Sequence, residues 1–544
     1  MVSPPKIKDY FKSLPNDLMS SVVVFLVALP LCLGVALASN APLFSGLIAG
    51  IVGGIVVGLA SKSHLSVSGP AAGLTAIVAA AVITLQTWET FLVAVVICGI
   101  IQLILGFLRA GIIGDYVPNS VIKGMLAAIG LILILKQLPH LIGYDANFEG
   151  DETFQQQNNE NTFSGIFRSF KHITSVAALI GISCLLFHFA WERFTKGKKG
   201  FLRLLPAPLL IVLIGGGINY YFLQTKPAYA LGTEHVVNLP VASSASEFFS
   251  FFTLPDWSKM LNTDTLKVAL TLALVASLES LLSIEAVDDL DPYQRVTPTN
   301  RELKAQGIGN IISGLLGGLP VTSVIVRSSA NVNAGARTKM STIYHGMLLL
   351  LCVALIPVVL SKIPNAALAA ILIFTGFKLA KPSLFIAFFK RGWDQFLPFV
   401  ITITAILLTD LLKGVIIGIC AGLFFVLRSN FKTSVFSVND HNRYLFRLRK
   451  DVSFLNKGII KQKLETVPAN AFVLIDTVRA DFIDKDVIEA IEDFMLHAPL
   501  KNIRVELKRS SFKDQGFSKE LAKEPRPELM RTHEKELKEI PAES

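Results

Sequence analysis

Charged residues are scarce in this chain: Asp, Glu, Lys and Arg make up 17% of its 544 residues, whereas hydrophobic residues make up 52%. Soluble domains average about a quarter charged residues. This shortage excludes an ordinary soluble enzyme and is typical of a helical membrane protein with several spans. The net charge of +10 predicts no nucleic-acid partner, because Lys and Arg cluster in short loops and in the tail.

Metal-binding and catalytic patterns are also lacking. The five cysteines lie inside apolar runs without paired spacing, so we expect them to be packing residues: Cys32, Cys98, Cys184, Cys352 and Cys420. No two histidines have the helical spacing of a metal site, and the sequence contains no P-loop, nucleotide fingerprint or nucleophile constellation. We therefore predict neither an enzyme nor a bound cofactor or metal, and no ATP-driven pump.

Long apolar runs are present instead, in two series of seven. A spanning helix needs about 20 apolar residues, and fewer where part of the crossing is extended. The first repeat (18–223) has candidates near 18–39, 42–60, 70–85, 90–109, 119–138, 172–192 and 203–223. The second (265–428) has them near 265–287, 303–318, 323–335, 341–360, 364–379, 394–411 and 414–428. The sequence thus predicts an all-α polytopic membrane protein with 14 membrane segments in a transport domain over 18–428.

The loops between these runs differ in charge. If residues 1–17 are cytoplasmic, the inside loops contain most of the Lys and Arg, while 145–161 is rich in acidic and amide residues and 224–264 is mildly acidic. This distribution follows the positive-inside rule. We predict that both termini are cytoplasmic.

Two segments depart from continuous helix, each the third of its series. Residues 65–73 alternate and then reach Pro70, which suits a first helical turn, and 317–324 contains Pro320. Hydroxyls that could cap the following helices belong to Ser68, Thr322 and Ser323. Paired Gly/Pro interruptions at corresponding positions indicate a binding site in a transporter built from inverted repeats. The alternative is a Pro-kinked helix in each half.

The two helix starts form a candidate anion site. Their N–H groups would point at a common centre and suit an oxyanion or halide. Arg327 lies in the first turn of the second short helix and would raise the local positive potential, although it could instead form a salt bridge with Glu279. The predicted anion contacts are Ser68, Gly69, Pro70, Ala71, Ser323, Val324, Ile325 and Arg327.

A carboxylate lies inside the apolar run 266–284. A charge such as that of Glu279 costs roughly 3 kcal/mol or more in mid-membrane and usually faces a polar cavity. Ser283 lies one helical turn later on the same face. Glu279 could carry a coupling proton, or with Ser283 could help to hold Na⁺. The alternative role for Glu279 is a structural ion pair with a neighbouring helix.

The last part of the chain has a different character. Residues 442–448, 471–475 and 502–507 read as strands and 486–495 as an amphipathic helix, which predicts a small cytoplasmic α/β domain over 429–512. Residues 513–544 are rich in Lys and Glu and are predicted to be a solvated tail.

Several motifs together resemble the SulP (sulfate permease) family of anion transporters, and the C-terminal segment resembles its STAS domain. The resemblance covers nearly the whole chain and is carried by Ser68-Gly69-Pro70, Glu279 to Ser283, Asn300-Arg301-Glu302-Leu303, Gly307 to Asn310, Gly318 to Arg327 and Ala330 to Gly335. It implies a 7+7 inverted repeat, a core domain that moves against a gate domain in an elevator-type motion, and a homodimer within the lipid. It also implies substrate between the third and tenth segments, where five of the predicted contacts match: Ser68, Gly69, Ser323, Val324 and Ile325.

The resemblance also bears on coupling and regulation. Bacterial bicarbonate transporters of this family look similar but carry Asp and Thr where this chain has Glu279 and Ser283, and they use Na⁺. This chain is closer to the proton-coupled members, so we favour a proton over Na⁺. Where phosphorylated relatives have Ser or Thr after a loop aspartate, the chain reads Asp484-Lys485-Asp486, so we expect assembly or regulation without a phosphoswitch there.

The sequence therefore predicts cation-coupled secondary transport of a small inorganic anion, such as sulfate or bicarbonate, across the inner membrane. An anion channel or uncoupled exchanger on the same scaffold remains open, as does a transporter of small dicarboxylates. A third class is a membrane sensor that signals through the STAS-like domain. The carboxylate of Glu279 favours the first class, because an uncoupled pore gains nothing from it.

Overall fold

The computed structural model describes residues 7–146, 154, 161–195, 205–227, 230–237, 239–241 and 244–509. The predicted tail 513–544 and most of the acidic loop 145–161 lie outside the described residues. The chain divides into two compact units, with the boundary between Gly422 and Leu423. The first unit is helical apart from two short strands, and the second contains a four-stranded sheet.

The first half of the helical unit follows the predicted order. Its elements are α1 (Ile7–Ala38), α2 (Leu43–Ala60, with a π-helical stretch at Gly53–Val57), β1 (Ser68–Pro70), α3 (Ala72–Leu85), α4 (Trp88–Phe107), α5 (Asn119–Leu141), α6 (Thr162–Ser169), α7 (Ser175–Thr195) and α8 (Ala207–Thr225). A 3₁₀ segment, Ala110–Tyr116, connects α4 and α5. α1 begins at Ile7, before the predicted start at 18.

The second half repeats this order after a short helix, α9 (Ala245–Ser250). Its elements are α10 (Thr263–Leu290), α11 (Thr299–Leu316), β2 (Val321–Ser323), α12 (Ile325–Asn333), α13 (Met340–Leu355), α14 (Pro357–Leu360), α15 (Asn365–Leu379), α16 (Pro382–Lys390), α17 (Trp393–Leu408) and α18 (Leu411–Ser434). In both halves the third predicted segment consists of a short strand followed by a short helix.

Eight described helices are long and apolar enough to cross a membrane: Ser13–Ala38, Leu43–Ala60, Trp88–Phe107, Asn119–Leu141, Ser175–Thr195, Ala207–Thr225, Thr263–Leu290 and Asn365–Lys390. Four further apolar helices are shorter, namely Ala72–Leu85, Met340–Leu355, Trp393–Leu408 and Leu411–Val426. α12 has only 9 residues, and α11 starts with a charged turn around Arg301. The protein is thus a multi-pass membrane protein, and the count of 14 segments stays a prediction.

The helices of this unit pack in two groups. In one group α4 packs on α10 and α11, and α1 packs on α2 and α13. In the other α5 packs on α15 and α17, and α7 packs on α15. β1 and β2 lie within the first group, in contact with α2 and α10 to α11.

Glycine pairs set the closest crossings between the two halves of the chain. A Cβ added at Gly99 would lie 2.6 Å from the Gly307 carbonyl oxygen, and one added at Gly307 would lie 2.7 Å from that of Gly99. Gly130 and Gly376 meet in the same way, where the added Cβ atoms would lie 2.6 and 2.5 Å from the partner's carbonyl oxygen. A Cβ at Gly54 would lie 2.6 Å from the Cα atom of Gly346. Small residues allow such backbone contact between membrane helices, and a methyl group at any of them would force the pair apart.

The second unit is a small α/β fold. Its sheet has the order β3-β4-β5-β6, with strands Val435–Asp440, Arg443–Val452, Phe472–Ile483 and Arg504–Lys508. β3 runs antiparallel to β4, whereas β4, β5 and β6 are parallel. The helices α19 (Lys457–Glu465) and α20 (Lys485–His497) contribute to its apolar core. β4, β5, α20 and β6 overlap the three strands and the helix predicted from the sequence.

A buried carboxylate joins three segments at one end of the helical unit. Asp145 accepts hydrogen bonds from His140 Nδ1 at 2.5 Å and from His235 Nδ1 at 2.6 Å, and Thr174 Oγ1 lies 3.3 Å from His235 Nε2. Burial tends to raise the pKa of Asp145, but the hydrogen bonds from the two histidines hold that pKa below its ordinary value. The hydrogen bond to Asp145 raises the pKa of His235. Burial lowers this pKa in part, and the negative charge of Glu234 raises it further.

We expect this cluster to stabilise the fold most at mildly acidic pH. Because the pKa of His235 is raised in the folded protein, its ion pair stabilises the fold fully at pH values below the unfolded-state pKa near 6.5. This stabilisation is lost as the pH rises through the folded-state pKa. The lowered pKa of Asp145 gives stability that is lost only when pH falls below about 3.8. The difference in melting temperature between wild type and Asp145→Asn should therefore be larger at pH 6 than at pH 9. An equal difference at both pH values would contradict this assignment.

Candidate functional site

Two strands from distant parts of the chain meet at the predicted site. β1 pairs antiparallel with β2, with the partners Ser68 and Ser323, Gly69 and Thr322, and Pro70 and Val321. All six residues are buried. α3 starts just after β1, and α12 just after β2. The pairing therefore brings two short helices together at their N-terminal ends, as the sequence predicts.

The proline and the helix caps differ from the prediction. Pro70 lies in β1 opposite Val321 and not in a first helical turn, because the strand pairing extends to it and the helix begins at Ala72. The residues that precede the helices are Ala71 and Val324, and neither has a side-chain cap. The strand pair thus shifts both helix starts past the hydroxyls that were expected to cap them.

Those hydroxyls have other partners. Ser68 Oγ accepts a hydrogen bond from Gln306 Nε2 at 2.8 Å, and Ser323 Oγ lies 2.6 Å from Ser66 Oγ. The hydroxyl of Thr322 donates to the carbonyl of the next residue at 3.4 Å. The predicted capping role of Ser68, Thr322 and Ser323 is therefore wrong, while Ser68 and Ser323 still face each other across the strand pair.

The N–H groups that remain for a ligand lie later in the chain than predicted. Ser323 N donates to Ser280 Oγ at 3.3 Å, and Val324 N donates at 3.0 Å to the carbonyl of the residue before β1. The first bond within α12 runs from Ser328 N to Val324 O. In a helix the N–H groups before this bond have no intrahelical acceptor. These are the groups of Ile325–Arg327, so of the three predicted residues 323–325 only Ile325 offers one.

Arg327 is a fully buried cation beside β1. Its side chain is 0% exposed, and Nη2 donates to the carbonyl oxygen of Pro70 at 3.4 Å. Gly69 makes room for it, because an added Cβ would overlap Nη1. The thiol of Cys32 contacts the guanidinium, and within the described part of the chain Nε and Nη1 have no oxygen or nitrogen acceptor. Leaving buried charged donors unsatisfied costs several kcal/mol, so this guanidinium is suited to a ligand anion.

An amide side chain fixes the other end of the strand pair. Asn310 on α11 accepts from Val321 N at 2.6 Å and donates to Val321 O at 2.9 Å and to Gln102 Oε1 at 2.7 Å. Asn310 is 0% exposed. Asn310 thus links α11 to α4 and to β2.

Glu279 and Ser283 face one cavity. They lie one turn apart on α10 and both line the same small cavity. The other lining residues are mostly apolar and come from α3, α5, α10 and α18: Gly73, Met125, Val275, Leu282, Leu411, Leu412 and Val415. The cavity thus lies between the two helix groups. A carboxylate in such a cavity can exchange a cation without facing lipid.

The same carboxylate touches the start of α3. A Cβ added at Gly73 would lie 2.8 Å from Glu279 Oε1, so the absent side chain leaves space for the carboxylate. Ser280, the next residue on α10, accepts from Ser323 N on β2. α10 therefore contacts both parts of the candidate anion site, the start of α3 through Glu279 and β2 through Ser280. Among the described residues, no group of three or more His, Cys, Asp or Glu side chains could hold a metal ion.

The fold is that of a membrane transporter. The murine solute carrier 26 family member A9 anion transporter, in its inward-facing state, superposes with a TM-score of 0.63 at 16% identity, over 92% of this chain and 86% of that one. Residues 14–404 match the sulfate permease family, and the chain belongs to that family.

Two relatives show the range of the family. YvdB of Bacillus subtilis, named for sulfate transport, is 26% identical over 429 residues, which are 78% of this chain and 76% of the relative. The bicarbonate transporter BicA of Picosynechococcus is 24% identical over 425 residues, 77% of this chain and 70% of the relative. The resemblance seen in the short motifs is thus confirmed at the level of the family.

We expect Gly73→Ala to impair transport without unfolding the protein. The new methyl group would displace the Glu279 carboxylate, the mobile end of a side chain, from its present position. A displacement of a functional group by about 1 Å lowers the rate by about tenfold or more. Gly216→Ala is the matched control, because nothing lies within 4 Å of its added Cβ. Anion uptake by purified, reconstituted protein checks the prediction, which fails if both variants transport like wild type.

Proposed function

We propose that this protein is a secondary active transporter that carries a small inorganic anion across the inner membrane. The observation that carries the proposal is the buried guanidinium of Arg327 beside the paired strands, two of whose donor groups find no oxygen or nitrogen acceptor in the described residues. Two helix N-termini add positive potential at the same place. Such an arrangement stabilises a bound anion through charge and size.

The anion is proposed to be sulfate or bicarbonate. These are the substrates in the names of the relatives YvdB and BicA. Of the contacts predicted from the sequence, we propose the Ser68 hydroxyl, the N–H group of Ile325 and the guanidinium of Arg327 as the groups that hold the anion. Hydroxyls and helix N–H groups recognise charge and size more strongly than they distinguish oxyanions.

Glu279 is the proposed coupling group. It lines the cavity with Ser283 and contacts the start of α3, so a change in its charge reaches the candidate anion site directly. We propose that it carries a proton, since one carboxylate and one hydroxyl supply few oxygen ligands for a metal cation. Na⁺ is the alternative coupling ion, held with the help of backbone carbonyls.

The architecture is proposed to be 14 membrane segments in two inverted repeats of seven. Support comes from the repeated order of elements, with a strand and short helix third in each half. The glycine contact of α4 with α11 also has a counterpart in that of α2 with α13, as inverted repeats require. We assign the helix group with β1 and β2 as the core domain and the group with α5 and α15 as the gate domain. The core domain is proposed to move against the gate domain in an elevator-type motion.

The remaining assignments concern the assembly. We propose that the α/β unit is a STAS-like domain with a role in assembly or regulation, that the protein is a homodimer in the lipid bilayer, and that both termini are cytoplasmic. Support for a separate domain comes from its own four-stranded sheet and its own apolar core.

Uptake by proteoliposomes tests the function. Radiolabelled sulfate, bicarbonate, chloride and a dicarboxylate should be offered with an imposed proton gradient, an imposed Na⁺ gradient or neither. We expect accumulation of sulfate or bicarbonate driven by the proton gradient. Uptake that is indifferent to both gradients would favour a channel or uncoupled exchanger, and an absence of uptake would favour a sensor.

Glu279→Gln should abolish gradient-driven accumulation while anion binding and folding persist. The amide has nearly the same shape but cannot carry an exchangeable proton in the physiological range. Glu285→Gln, on the same helix but outside the cavity lining, is the matched control and should accumulate anion like wild type. Loss of folded protein in Glu279→Gln would instead support a structural ion pair.

Arg327→Met should weaken anion binding by about 30-fold or more. The substitution keeps an unbranched side chain but removes the buried charge, and loss of one partner of a buried charge pair costs roughly 2–5 kcal/mol. Arg327→Lys keeps the charge but lacks the planar set of donors of a guanidinium. Its affinity for the anion should therefore lie between those of Arg327→Met and wild type. Calorimetric titration of the purified variants measures the effect. Unchanged affinity in Arg327→Met would remove this residue from the site.

A further inference from the structure

A second buried carboxylate is connected to the candidate anion site. Glu302 lies in the first turn of α11 and is 1% exposed. One of its oxygens accepts from the hydroxyl of Ser61, and Oε1 accepts from Gln306 Nε2 at 2.8 Å. Among the described residues, no Lys, Arg or His side chain forms an ion pair with it. Its partners are neutral donors, which points to a role other than charge pairing.

The nearby cations bind backbone carbonyls instead. Arg301 Nε donates to Ala60 O at 2.8 Å, and Lys339 Nζ donates to Leu59 O at 3.1 Å and to Ser61 O at 3.4 Å. These contacts cover the C-terminal end of α2. Both Glu302 oxygens therefore keep their acceptor role towards neutral donors, namely the Ser61 hydroxyl and the Gln306 amide.

Gln306 connects this carboxylate to β1. It lies one turn after Glu302, is 0% exposed, and its Nε2 atom donates both to Glu302 Oε1 and to Ser68 Oγ, each at 2.8 Å. The orientation of the amide follows from this contact: Oε1 of Glu302 is the acceptor, and the reverse orientation would place two acceptor oxygens 2.8 Å apart. Glu302 therefore fixes which end of Gln306 faces Ser68.

The orientation of Gln306 determines what the Ser68 hydroxyl can do. Because Ser68 Oγ already accepts from Gln306 Nε2, its own proton remains available for an acceptor. If Gln306 were reversed, the hydroxyl would instead donate to the amide oxygen and turn its lone pairs towards the site. An anion such as sulfate offers only acceptor oxygens, so it is bound by the first arrangement and repelled by the second.

We propose that Glu302 is a positioning residue for anion binding, acting through Gln306 to keep the Ser68 hydroxyl as a donor. This inference deepens the proposed function and rests on it. The ligand it selects is an oxyanion whose contacting oxygen accepts a hydrogen bond. A purely structural role for Glu302, tying the end of α2 to α11, makes a different prediction: its loss would change stability and would not depend on Ser68.

A double-mutant cycle distinguishes the two roles. Full-length wild type, Glu302→Gln, Ser68→Ala and the double variant should be purified, and the binding of sulfate and of bicarbonate measured by calorimetry together with melting temperature. Glu302→Gln preserves shape but allows either amide orientation. We expect it to weaken anion binding about tenfold, the effect of one hydrogen bond to a charged group. Ser68→Ala should have a similar effect, and the double variant should bind no more weakly than Ser68→Ala.

Equal losses from Glu302→Gln in the presence and absence of the Ser68 hydroxyl would overturn the inference, as would a wild-type affinity in Glu302→Gln. Gln306→Met is a second variant that removes the donor and leaves Glu302 in place, and it should show the same dependence on Ser68. If wild type binds neither sulfate nor bicarbonate, the proposed function fails together with the inference. If wild type binds and the losses add, the inference alone fails.

Discussion

The antiparallel pairing of β1 with β2 is the contact on which the site depends. Three residue pairs join segments from opposite halves of the chain, and each strand leads directly into a short helix. Unpaired backbone within a membrane protein is costly, so the two extended pieces satisfy each other and gain further bonds from Asn310 and Ser280. Without this pairing, the helix starts and Arg327 would have no common location.

The charges of Arg327 and Glu279 determine the electrostatics of the candidate site. Arg327 lies beside β1 with two donor groups that the described protein atoms leave unsatisfied, while Glu279 lines the cavity. A buried cation without an ion-pair partner among the described residues favours a bound anion, and a nearby carboxylate can change that preference as it gains or loses a cation. Binding and coupling can thus share one electrostatic environment.

Much of the fold could be predicted from the sequence, because hydropathy is a local property. The apolar runs, the two interruptions, the inward face shared by Glu279 and Ser283, and the strands of the last unit all depend on nearby residues. The helix caps were wrong because the partners of Ser68 and Ser323 come from tertiary structure. Gln306 is distant in sequence from Ser68 but donates a hydrogen bond to its hydroxyl, and no local sequence pattern predicts this bond. The same holds for Pro70, whose place in a strand depends on Val321.

The glycine contacts carry a consequence for how the molecule can move. Where Gly99 meets Gly307 and Gly130 meets Gly376, two backbones touch with no layer of side chains between them. Side chains that change rotamer are what allow packed helices to slide past one another, so a crossing without them resists shear. In the proposed elevator motion, each such helix pair would move as one rigid unit. The sliding would occur where side chains lie between the helices, along the cavity wall of Met125, Leu411 and Val415.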